Sequence, residues 1–71
     1  ELAPGTLVRL VGDMGAHMAE DMSKYGVKMG DLGVVLSMSR RGYTFEVRIF
    51  NDVEPSAPWT LERGWIEVVE S

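Results

Sequence analysis

The chain has 71 residues, with seven Lys and Arg against eleven Asp and Glu, one His, eight Gly and no Cys, for a formal net charge of −4. A chain this short buries only roughly 60% of the surface its unfolded form exposes, so residues 1–71 read as one domain around one small core, with no room for a separate cofactor domain. The lack of Cys excludes a disulfide framework and thiolate metal clusters, and the acidic balance weighs against general binding of nucleic acid or anionic membranes.

No run approaches the apolar length of a membrane span, about eighteen residues, and the N-terminal segment lacks the charged, apolar and small-residue order of a signal peptide, so a soluble, cytoplasmic protein is expected. Pro4-Gly5 is a turn signal, and Thr6 to Val11 is a β-rich run that predicts the first strand. Gly12-Asp13 ends it. Met14, Met18, Met22 and Tyr25 then recur at spacings of four, four and three, which places them on one face of a short amphipathic helix. Asp13 suits the N-cap of that helix and Gly26 a left-handed C-terminal stop. With its flanking loop, the insertion spans about 13–29.

Lys28 to Gly33 reads as a turn in which Asp31 bonds the backbone beyond it, and Val34 to Met38 as an almost continuously apolar central strand. Ser39 to Gly42 is a hairpin turn. In Tyr43 to Ile49 the alternation is strict, so Tyr43, Phe45, Val47 and Ile49 share one face and Thr44, Glu46 and Arg48 the other. Asn51 to Pro58, with its prolines, Asn, Asp and Ser, reads as an exposed loop. Trp59 to Glu62 and Trp65 to Val69 are the last two strands, separated by a turn at Arg63-Gly64. The expected core is Leu7, Val8, Leu10, Val34, Leu36, Phe45, Val47, Ile49, Trp59, Leu61, Ile66 and Val68, with Met18 and Met22 closing one end.

Five short strands with a central hairpin suggest an all-β small barrel, whose closure removes exposed sheet edges. The succession of Pro4 to Leu10, Gly30-Asp31-Leu32-Gly33-Val34-Val35, a hairpin, Trp59-Thr60-Leu61 and Ile66 to Val69 resembles an SH3-like five-stranded small barrel, here with a short helical insertion between strands 1 and 2. Nearly the whole chain takes part. Parts of the pattern are similar to KOW, PsaE-like, CAP-Gly and Mib/HERC-type domains, without the G-K-N-D-G run of CAP-Gly domains. The superfold serves many roles, so the function must be argued from surfaces.

The Met14, Met18 and Met22 stripe with His17 beside it has the soft donors of a Cu(I) site, but methionines at helical spacing are what a helix needs to cover a barrel end. Asp13, Glu20, Asp21 and Asp31 lack the spacing of an oxygen-ligand cation loop. No Ser, His or acid constellation for catalysis is present, so no enzyme activity and no cofactor are expected. Two tryptophans exceed what so small a core needs. If Trp59, Leu61, Ile66 and Val68 face inward, Trp65 sits at the rim as an anchoring aromatic, and Phe50, on the polar parity of its strand, joins it. Arg40 and Arg41 at the hairpin tip, Arg48 on the outer strand face and Arg63 in the last turn supply charge, although Glu46 and Glu62 interleave with them.

The expected function is a non-catalytic protein-protein interaction or assembly module docking on a larger protein or complex through Trp65, Phe50, Tyr25, Arg40, Arg41, Arg48 and Arg63. A KOW/Tudor-like nucleic-acid or nucleoprotein contact, with the arginines tracking phosphates, is the alternative. Self-association through the same aromatics is a third possibility.

Overall fold

The computed structural model describes residues 2–12, 14–53 and 57–69. Strand β1 (Leu7–Leu10) is followed by helix α1 (Gly15–Lys24), strands β2 (Leu32–Met38), β3 (Thr44–Ile49) and β4 (Trp59–Glu62), a single 3₁₀ turn at Arg63–Trp65, and strand β5 (Ile66–Val68). The five strands form one antiparallel sheet in the order β4-β3-β2-β1-β5.

The helix starts one turn-residue later than expected. Met14 occupies the N-cap position without a side-chain bond to the first turn, and Asp13, the expected cap, lies outside the described residues. At the other end the prediction holds: Gly26 adopts a φ of 79° and its amide bonds the Ser23 carbonyl, and the Val27 amide bonds that of Met22. These turns take up the last carbonyls of the helix. Met22 is buried, Met18 half-buried and His17 exposed, so the methionine stripe faces the core as helical spacing requires.

The hairpin between β2 and β3 closes through Ser39 and Thr44, with Gly42 at a φ of 76°. A bulge between Val35 and Ser37 bends β2. No ladder joins β4 to β5 among the described residues, so the sheet is not a closed barrel, in contrast to the sequence expectation. It is nevertheless strongly curled. Glu62 pairs with Thr44 at the start of β3, whereas Ile66 pairs with Leu10, level with the start of β2. Laid flat, those positions would be separated by four strand spacings, roughly 19 Å, and by roughly 25 Å along the strands. The four residue steps from Glu62 to Ile66 reach at most about 14 Å. The connection exists only because twist and bulge bring the two edge strands round toward each other.

Inside the curl lie Leu2, Val8, Leu10, Met14, Met22, Val27, Val35, Phe45, Val47, Ile49, Leu61 and Ile66, with Met18, Trp59 and Trp65 packed against them. Burial of each large side chain contributes about 1.5–3 kcal/mol, the main favourable contribution to stability. Several expected core residues are elsewhere. Leu7, Leu36 and Val68 are exposed and Val34 and Trp59 are half-buried, whereas Leu2, Met14, Val27 and Val35 are core. In β2 the facing is reversed relative to the prediction, because a strand apolar on both faces has no alternation to orient it. The close approach at Gly33 orients it instead: a Cβ there would lie 2.6 Å from the Arg48 carbonyl oxygen and 2.9 Å from Cδ1 of Ile49. Gly33 therefore takes the inward position, Val35 follows it, and Leu32 and Val34 point outward. Val68 has inward parity opposite Val8, but at the end of a three-residue edge strand it remains 38% exposed. Tyr43 falls outside β3 and is 71% exposed, so it does not share the Phe45 face in the core.

Candidate interaction face

The pairing register builds a face on the side of the sheet away from the core. One row crosses the strands as Glu67, Arg9, Leu32 and Phe50, and the next as Val69, Leu7, Val34 and Arg48. Each step is a direct cross-strand neighbour: Leu32 faces Arg9 and accepts the Phe50 amide at 3.0 Å, and Val34 stands between Leu7 and Arg48. At such positions side chains touch across the sheet.

The centre of this face is apolar and open. Leu7 is 46%, Leu32 43% and Phe50 57% exposed, with half-buried Val34 and Val69 between and beside them. Isolated surface leucines need no explanation, whereas these residues adjoin and form one apolar patch on the sheet face. Charge is confined to two opposite corners. At one, Arg9 Nη1 meets Glu67 Oε2 at 3.0 Å, and the pair neutralises itself. At the other, Arg48 is half-buried, and its guanidinium has no hydrogen-bond or ion-pair partner among the described residues. Glu46, two residues along the same strand, bonds the Ser37 hydroxyl at 3.3 Å instead.

The predicted site residues do not form one surface. Phe50 and Arg48 come together on the outer face just described. Arg40 and Arg41 are exposed in the β2–β3 turn, at the opposite end of β3 from Phe50. Because Glu62 pairs with Thr44, Arg63 lies at that same end, beside the exposed Tyr43, with Nη1 donating to the Ile66 carbonyl at 3.0 Å. Trp65 is half-buried against the core, its carbonyl accepting the Val11 amide at 2.8 Å. Tyr25 stands apart from both groups, edge-to-face on Trp59 with ring centroids 5.7 Å apart.

That ring pair lines a cleft of about 400 Å³ together with Asp52, Ala57 and Pro58. The Trp59 indole N–H donates to Asp52 Oδ2 at 2.7 Å, and the Val53 amide donates to the Tyr25 carbonyl at 3.1 Å. These bonds tie the loop before β4 to the C-terminal end of α1. Nearby, the buried Asp31 accepts from the Lys28 amide at 2.9 Å and from its ammonium at 3.2 Å. Burial alone raises the pKa of such a carboxyl. Here the Lys28 amide and ammonium, with a further hydrogen bond from the Asn51 side chain, outweigh it and hold Asp31 below the usual carboxylate range. Asp31 thus bonds backward to Lys28, three residues before it, rather than to the backbone beyond it as expected, and pins the turn that leads into β2.

Sequence reasoning missed Leu7, Leu32, Val34 and Val69 as members of the outer face. Two signals pointed there: Arg9 between Leu7 and Val11, and Gly33 between Leu32 and Val34. Comparison with protein-family models, curated proteins and solved structures finds no match.

Proposed function

We propose that this chain is a non-catalytic interaction module, an SH3-like small barrel that docks on a larger protein through the outer sheet face of Leu7, Leu32, Val34, Phe50 and Arg48. The fold reading is supported by the strand order β4-β3-β2-β1-β5, the single 3₁₀ turn linking β4 to β5, and the curl which that short link imposes. The observation that carries the function is the open apolar centre, in which Leu32 and Phe50 are adjacent and each about half exposed. Water contact at such a patch is unfavourable, and covering it by a partner returns that free energy as affinity. Trp65 packs against the core, so the reading rests on Phe50 and Arg48 among the residues first singled out.

The test is affinity capture with wild-type and Phe50→Asp baits, each at two salt concentrations and with nuclease. A specific protein that survives salt and nuclease and is lost on Phe50→Asp supports the reading. Recovery indifferent to Phe50→Asp removes it.

A second reading rests on the other end of the sheet, where Arg40, Arg41 and Arg63 lie beside the 71% exposed Tyr43. Arginines at the same end of the sheet as an exposed ring suit a single-stranded nucleic acid, with phosphates on the arginines and a base on the ring. Binding of an oligonucleotide that falls steeply with salt and is lost on Arg40→Glu with Arg41→Glu favours this reading.

A further inference from the structure

Resting on the proposed docking role of the outer face, the charge distribution there points to the chemistry of its ligand. We propose that this face takes an extended protein segment in which a carboxylate side chain adjoins apolar ones, the carboxylate pairing with Arg48 and the apolar groups covering Leu32, Val34 and Phe50.

Three observations lead to this ligand. The Arg9–Glu67 pair cancels at one corner, so Arg48 leaves the two rows with one net positive charge on a chain whose formal net charge is −4. Arg48, a half-buried residue paired with Val34 across β2 and β3, has no hydrogen-bond or ion-pair partner among the described residues. A guanidinium gains most from a carboxylate that approaches its fork in two parallel hydrogen bonds, and such a pair is roughly twice as strong as one between neutral groups. Leu32, Val34, Arg48 and Phe50 are also direct neighbours across the β2–β3 pair, close enough together for one short segment to cover. An acidic segment without apolar residues would leave Leu32 and Phe50 in water, and an apolar one without acid would bury Arg48 uncompensated.

The experiment uses a phage-displayed library of random dodecapeptides selected on the wild-type domain, with the best peptides then titrated against Arg48→Met, Arg48→Glu and Phe50→Asp. Each variant is first checked for an unchanged circular-dichroism spectrum and a cooperative urea transition, which report the intact fold independently of the face. The expected peptides carry Asp or Glu within two or three residues of two apolar side chains. Their affinity falls at least tenfold on Arg48→Met and further on Arg48→Glu.

Peptides without enrichment in acid, or with affinity lost on Phe50→Asp but indifferent to Arg48→Met, overturn the acidic ligand and leave the docking face standing. Peptides indifferent to Phe50→Asp overturn the face itself. A library that enriches nothing overturns the single-segment ligand. Preferential Arg48-dependent binding of a thymidine oligonucleotide, run in parallel, assigns the guanidinium to phosphate instead.

Discussion

Gly33 packs directly under Arg48: a methyl group at Gly33 would stand 2.6 Å from the Arg48 carbonyl oxygen and 3.1 Å from Cγ1 of Val47. This contact sets which side of β2 faces the core, and with it the composition of the outer face. The obstacle is backbone rather than the end of a flexible side chain. Gly33→Ala is therefore expected to cost about 3 kcal/mol, the upper end of the usual overpacking penalty, measured by urea unfolding. A cost below about 1 kcal/mol would mean that β2 packs less closely on β3 than described.

The facing of β1 gives a paired test. Leu10 is 1% exposed on the inward set and Leu7 46% exposed on the outward set of the same strand. Leu10→Ala is expected to cost about 2–5 kcal/mol. Leu7→Ala is expected to cost about 1 kcal/mol or less. Equal losses would show that Leu7 belongs to the core after all.

The loop before β4 is held by the Trp59–Asp52 bond at 2.7 Å, with Asp52 buried. Removing the acceptor in Asp52→Ala is expected to cost about 1.5–3 kcal/mol, since the bond is to an ionised group. Asp52→Asn keeps an oxygen acceptor without the charge and is expected to cost about half as much. Urea midpoints measure both, and the Trp59 indole proton shift reports whether the bond itself has gone. An unmoved shift in Asp52→Ala would assign the indole another acceptor.

Asp31 makes stability depend on pH in a defined direction. Its pKa is lowered in the folded chain because the Lys28 amide, the Lys28 ammonium and Asn51 together outweigh burial. A lowered folded value means that the carboxylate contributes stability above the ordinary value of about 3.9 and loses it as the pH falls below that value. Thermal midpoints across the acid range should therefore drop more steeply in the wild type than in Asp31→Asn, which starts lower at neutral pH. Parallel acid limbs for the two proteins would place the acid sensitivity in other carboxylates.

Much of the local structure was legible in the residues. The 14–18–22 methionine spacing located the helix and its buried face, Gly26 its end, and Gly42 the central hairpin. Strict alternation in Tyr43 to Ile49 placed Phe45, Val47 and Ile49 inside and Arg48 outside, and the parity of Phe50 placed it outside as well. The arginines were legible as exposed charge, but their grouping was not. Arg40, Arg41 and Arg63 end up at one end of the sheet and Arg48 on its outer face only through the β3–β4 and β2–β3 registers.

By itself, then, the sequence determined the elements wherever a polar residue or a glycine marked one side of a periodic pattern, because a period of two or 3.6 residues is a local property of the chain. Tertiary structure alone decided the facing of β2, the half-burial of Trp65 and the joining of Leu7, Leu32, Val34, Phe50 and Arg48 into one face. Those depend on the close approach at Gly33 and on contacts between strands remote in sequence. An unbroken apolar run such as Leu32 to Leu36 fits either facing until another strand packs against it.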